Sequence, residues 1–522
     1  MRKLTNEEVA KLTHQGCTAE DWRKIEVSED FVTEGIADVH FSGHIRLGRF
    51  TREHEMPWGM RCHSGIRHVR MHECSIGDNV LMENIKYVAN YDIEEGCVVE
   101  DIYALVTEGR SAFGNGVRIT VLNETGGREV TIFNELSAHL AYMAALYRYE
   151  GEMTRRVEEM AETYTAKVSS ERGRIGRGTR ISHAGILKNI AVGHDTVIEG
   201  ATRLENGTLK GQAYMGSNVI AKNFIVCENT RVTNGANLEH CFVGQGCEIG
   251  CMFSAHDSLF FSNCHMENGE ACAVLAAPYS VSMHKSTLLI GGMFSFLNAG
   301  SGSNQSNHLY RLGAVHQGIM ERGCKLGSDS YVKWPAHVGA FSVMTGRHTE
   351  HMNSSILPFS YLIGEEGVTW LVPGVCLRTA GTRRDAAKWR ERDKRPETGQ
   401  LDYIHFDLLN PYTAGRMMAG MKVLENLLEK GKPEQEVFVY EGMRIRRKAA
   451  EKGIVYYKTG IRKFLGDALI KRLKERQFKS EEELKDCLRP EYLQGRGEWT
   501  DLAGIIVPRR EVERLVNDIK TG

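Results

Sequence analysis

From Gly173 onward the aliphatic residues fall on a grid. One column reads Ile175, Val192, Leu209, Val226, Val243. A second reads Ile181, Ile198, Met215, Val232, Ile249, and a third Leu187, Leu204, Ala221, Leu238, Ala255. Each step down a column is 17 residues, and the steps across are six, six and five. The residue two before a grid position is mostly small, as at Gly173, Thr179, Gly185, Thr196, Thr202 and Gly207. Spacings of three and four, which an amphipathic helix needs, are missing from the grid. The pattern predicts coils of three short strands, each sending one aliphatic side chain inward, with small residues where the chain turns. The same spacing occurs at Met71, Ile76, Met82, Val88, Ile93, Val99 and Leu105, and again at Leu326, Val332, Val338 and Ile363. Between Phe260 and Tyr310 the grid blurs around Gly291, Gly292, Gly300 and Gly302. That stretch reads as loops leaving a rigid solenoid, a place where function concentrates.

This repeat resembles the hexapeptide-repeat family, whose members form a left-handed parallel β-helix. The layout also resembles an uncharacterised bacterial family of hexapeptide-repeat proteins. The expected fold is therefore mainly β: a left-handed parallel β-helix solenoid of 17-residue coils, with a hairpin and helical insertion and an α-helical C-terminal region. The expected parts are a helical cap over residues 1–40, first coils over 41–110, the insertion over 111–170, the main β-helix over 171–378 and the helical region over 379–522. In the cap, Thr5 and Glu8 form a capping-box pattern, and Thr18 suits the start of a second helix. In the insertion, residues 117–121 and 130–133 alternate as strands around a turn at 124–128, and a helical stretch follows from about Glu135 to Val168. Helices are expected at 417–430, 461–476 and 512–520.

Composition narrows the function classes. The 522 residues carry 54 Gly and 10 Pro, a net charge of −1, and 42% hydrophobic against 25% charged residues. Such a chain buries a large core, and neutrality argues against a nucleic-acid binder that relies on a basic surface. The N-terminus has no apolar run behind its charges, so no signal peptide is expected. The most apolar stretch, 271–300, is broken by His284 and Lys285, so no membrane insertion is expected. Thirteen Cys without a secretion signal point to reduced thiols and a cytoplasmic location. Cys74, Cys97, Cys241, Cys247, Cys264 and Cys324 fall on the small corner position and read as buried packing residues, not metal ligands.

The densest polar segment holds Asn304, Gln305, Asn307, His308, Tyr310, Arg311, His316, Gln317, Lys333, Trp334, Arg347, His348 and His351. Amides suit sugar hydroxyls, Arg and Lys suit phosphates, and Trp334 suits stacking on a sugar or base. Neutral His is a natural general base near pH 7. The candidates are His284 and His316, which follow column positions, and His308 in the loop. In acyltransferases of this fold a coil or loop His takes the acceptor's proton, and the donor's pantetheine arm lies along the prism. The resemblance thus implies transfer of an acyl group from a CoA-type thioester to a hydroxyl or amine of a sugar or nucleotide-sugar, in a homotrimer. Acyl-CoA would be a co-substrate, with no tightly bound cofactor. A non-catalytic sugar- or nucleotide-binding scaffold is the alternative. Zinc carbonic anhydrases share the fold, but the spacings of His348 and His351 and of His256 and His265 differ from theirs, so no metal is expected and a hydratase is a remote alternative. The basic run Arg383, Arg384, Lys388, Arg390, Arg392, Lys394 and Arg395 reads either as an anion-binding face or as a solvated helix surface.

Overall fold

The computed structural model describes residues 1–522 apart from 307–312, 316, 475 and 491–494. The 17-residue grid is the register of a parallel β-helix. Leu187 pairs with Leu204, Leu204 with Ala221, Ala221 with Leu238, and Leu238 with Ala255. Ile181, Ile198, Met215, Val232 and Ile249 stack in the same way. All fifteen grid residues are at most 3% exposed. Each fully buried aliphatic side chain contributes about 1.5–3 kcal/mol, so the stacked columns form one continuous core.

The solenoid is longer than the grid suggests. Through the blurred stretch the inward column continues as Ala255, Ala271, Leu289, Gln305, Val332 and His348. Its steps there are 16, 18, 16, 27 and 16 residues, so a fixed period of 17 loses it. Asn298–Ala299 and Asn304–Ser306, read above as loop, are strands. At the far end Leu362 pairs with Met344 and points inward, while Ile363 is half-buried outside. That one-residue slip reverses the face on which a side chain lies.

The N-terminal cap holds one helix, not two. Helix α1, Asn6–His14, begins with the capping box: Thr5 Oγ1 accepts from the Glu8 N–H at 3.2 Å, and Glu8 Oε2 accepts from the Thr5 N–H at 2.8 Å. The expected second helix is a single turn, Trp22–Lys24. It is flanked by strands Thr18–Ala19 and Ile25–Val27, which pair with Ile36–Leu47 and so extend the solenoid.

The chain leaves the prism after Val98–Val106 and re-enters at Gly173–Ile175, which pairs with Tyr91–Ile93 on one side. The insertion forms a hairpin of Arg118–Thr120 and Glu129–Thr131, then α2, Ala138–Leu146, and α3, Gly151–Val168. It packs sideways on the prism, covering the outward side chains Ile225, Phe242, Leu259, Leu275 and Met293.

The C-terminal region holds α4, Ala380–Glu391, α5, Pro411–Lys430, α6, Arg447–Leu473, α7, Glu481–Leu488, and α8, Arg509–Thr521. A hairpin of Trp499–Leu502 and Ile505–Pro508 precedes α8. Among the described residues no helix is long and apolar enough to cross a membrane. All thirteen Cys are unpaired, and the six corner cysteines are at most 1% exposed, in keeping with packing residues.

Candidate functional site

The polar segment does not converge on one place. Gln305 and His348 occupy the inward column and are fully buried. Trp334 is 1% exposed in the core; its indole N–H donates to the Ile290 carbonyl at 2.7 Å and its ring lies over Gly318. Burial therefore rules it out as a stacking platform for a ligand. Asn304 and Arg347 share an outward row with Tyr331, and Lys333 lies in a neighbouring row beside Ser306. Gln317 and His351 line a separate hollow of about 430 Å³ beside the insertion. Asn307, His308, Tyr310, Arg311 and His316 lie outside the described residues.

Inside the prism, His348 Nδ1 lies 3.0 Å from Thr369 Oγ1, and Nε2 has no partner among the described residues. Burial pushes its imidazole down to about 4. The unfolded chain then binds more protons than the folded one between pH 6.5 and about 4, so this residue lowers stability as pH falls through that window and has no such effect above it. His348→Leu should flatten the fall in unfolding temperature between pH 6.5 and 4.5. An unchanged slope would show that His348 does not control it.

A second concave site lies elsewhere, and among the described residues His284 is the candidate base that lines it. A cleft of about 600 Å³ opens between the prism and α4. Its floor is an outward row of side chains on successive coils: Glu248, His265, Val281, Asn298 and Lys325. His284 sits at a corner whose backbone is fixed: Asn268 Nδ2 donates to the Met283 carbonyl at 3.1 Å, and Thr287 Oγ1 donates to the His284 carbonyl at 3.0 Å. Its side chain is exposed and lines the cleft.

The opposite wall is the basic run. Arg384, Lys388, Arg392 and Lys394 line the cleft. Two other members of the run are paired with carboxylates. Arg395 forms two bonds to Asp393, at 2.9 and 2.6 Å, and Arg390 bonds Asp407 at 3.1 Å. Carboxylates balance part of the charge: Lys325 contacts Asp385, and Lys394 contacts Glu248. Burial alone would raise the Asp385 carboxyl, but bonds from Lys325 and Arg384 hold it below the ordinary carboxylate range. Arg392 has no ion-pair partner among the described residues, and Lys388 only approaches Asp385, at 4.0 Å. These two cations are the ones left to meet an anion.

Aromatic residues anchor α4 over this face, and they were missed in the sequence. One corner of successive coils has left-handed backbone at Gly178, Asp195, Gln212, Asn229, Gly246, Asn263, Tyr279, Phe296, Gly323, Phe341 and Phe359. Gly, Asn and Asp tolerate that conformation, whereas bulky residues there are strained. The change to Tyr and Phe in the upper coils is the available signal that another element covers them. Trp389 of α4 packs on Phe296 with ring centroids 4.6 Å apart, and on Phe341 at 6.1 Å, spanning the coil where Gly323 leaves room.

Fold and site together define a parallel β-helix protein with a cleft walled by basic residues on and just after α4, the first helix of its C-terminal region. The chain belongs to the family described as "Domain of unknown function (DUF4954)", which matches residues 1–428. Residues 480–522 match a second family, "Domain of unknown function (DUF6819)". An uncharacterised protein of Treponema pallidum (strain Nichols) is 24% identical over 581 residues, covering 100% of this chain and 77% of that protein.

Proposed function

We propose that the cleft binds a phosphate-bearing small molecule of nucleotide size and that the protein acts as a hexapeptide-repeat-type acyltransferase. The observation that carries this reading is the meeting of Lys388 and Arg392 with an exposed His284 in one cleft. The donor would be a CoA-type thioester and the acceptor a hydroxyl or amine of a sugar or nucleotide-sugar. The cations would hold phosphate oxygens by charge-assisted hydrogen bonds. The His284 imidazole would take the acceptor's proton as its oxygen or nitrogen attacks the thioester carbonyl. Collapse of the tetrahedral intermediate would break the C–S bond, and the departing thiolate would receive that proton. The chain's own α4 forms one wall of the cleft.

A thermal-shift series with acetyl-CoA, free CoA, nucleotide-sugars and nucleotides tests this reading. Stabilisation by a CoA species and a nucleotide-sugar is expected. His284→Asn should keep that stabilisation and lose turnover. Ligand stabilisation with no acyl transfer in either protein would favour a non-catalytic nucleotide- or sugar-binding scaffold. No stabilisation by any of these ligands would contradict the cleft as their site.

A further inference from the structure

A separate cluster sits at another corner of the coils. Asn189, Asn206, Asn223, His240 and Asp257 form one row with left-handed backbone, 17 residues apart. In the lower coils the row is an amide ladder: Asn206 Nδ2 donates to Asn223 Oδ1 at 2.6 Å, and Asn206 Oδ1 accepts from the Gly114 N–H at 3.0 Å. At His240 the ladder changes chemistry. His240 Nδ1 lies 3.3 Å from Asp257 Oδ1, and His256 Nδ1 lies 2.9 Å from Asp257 Oδ2. The two imidazole planes are inclined at 67°, and one ligand atom from each of the three residues falls within 4.8 Å of the others.

The three ligand atoms lie within 4.8 Å of one another, close enough to be drawn into one coordination shell. Donors bound tetrahedrally to zinc at about 2.0–2.2 Å lie about 3.3 Å apart. The surroundings favour a cation. His256 shares an outward row with Glu239 below and Cys272 above, and strands on successive coils are about 4.8 Å apart. Cys272 Sγ is 3.9 Å from Glu124 Oε1 of the insertion, and Glu270 lies on the same strand as the thiol. Lys222, 3.6 Å from Glu239, is the balancing cation.

We propose that His240, His256 and Asp257 bind a borderline transition-metal dication of the Zn²⁺ class, with Cys272, one coil along the row of His256 and outside that cluster, turning in as the fourth ligand. Two imidazoles, a carboxylate and a thiol are a zinc donor set, whereas Mg²⁺ and Ca²⁺ prefer oxygen ligands. The pairing of the imidazoles with Asp257 would be replaced by metal bonds, with release of any proton held between them.

Titration of the chelator-treated full chain with Co²⁺, followed by displacement with Zn²⁺, tests the site. One equivalent of Co²⁺ with tetrahedral d–d absorption, lost on adding Zn²⁺, is expected. The comparison protein is His240→Asn combined with His256→Gln. Asn restores the residue type that the row carries one coil below, so the variant should melt like the metal-free native chain. Its affinity should be at least about tenfold weaker. Cys272→Ser should remove the thiolate-to-cobalt charge-transfer band. Equal binding by the native and double-variant chains, or no binding by the native chain, overturns the site. A spectrum unchanged by Cys272→Ser overturns the assignment of the fourth ligand.

Discussion

Arg322→Ala is expected to destabilise the protein by about 3–5 kcal/mol, because it strands a buried carboxylate. The Arg322 side chain is 0% exposed and sits over the Phe296 ring at 4.5 Å. It bonds Asp501 at 2.7 and 3.2 Å and the Gly504 carbonyl at 2.6 Å, and it contacts the His405 carbonyl. This one side chain thus ties the hairpin before α8, and the segment after α4, to the solenoid. Without it, Asp501, itself 11% exposed, loses its cationic partner. Arg322→Met combined with Asp501→Leu removes both charges and should recover much of the loss. Denaturant melts of the three proteins check this, and an Arg322→Ala chain as stable as the native one would refute it.

Trp389→Ala should cost about 3 kcal/mol or more, the range for truncating a large packed aromatic. The indole bridges Tyr279 and Phe296 on adjacent coils and Phe341 one coil beyond Gly323, all three with strained left-handed backbone. Its loss should loosen α4 while the lower coils keep their register, since a solenoid's stability is largely local. Hydrogen exchange should quicken in residues 380–395 and around 279–299 and stay unchanged in 181–243. Uniform acceleration along the chain would contradict that partition.

The solenoid was legible because a parallel β-helix repeats its inward positions at a fixed step, and Leu187 to Ala255 keep that step at 17. It blurred beyond Ala255 because the steps vary among 16, 17, 18 and 27 residues while Ala271, Ser282 and Ala299 replace large aliphatics inside. The candidate site was only partly legible. His284 and the basic run were both visible, but nothing local joins residue 284 to residues 388 and 392. Their meeting depends on Trp389 docking on Tyr279, Phe296 and Phe341, a contact between residues far apart in sequence. Trp334, Gln305 and His348 misled for the opposite reason. Polar residues commonly mark a surface, yet these three occupy the interior, and Trp334 satisfies its N–H within the core at the Ile290 carbonyl. The tight row of aromatics at turn positions was a signal, because such residues are poor choices for left-handed backbone unless something packs on them.

The central claim is that Lys388 and Arg392 receive the phosphates of a ligand in the cleft. Calorimetric titration of acetyl-CoA and a nucleotide-sugar into the native chain and into Lys388→Glu/Arg392→Glu tests it directly. The account predicts saturable binding to the native chain and at least about tenfold weaker binding to the variant, since two cation–phosphate contacts become repulsive. Equal affinity in the two proteins, with both folded, would contradict it.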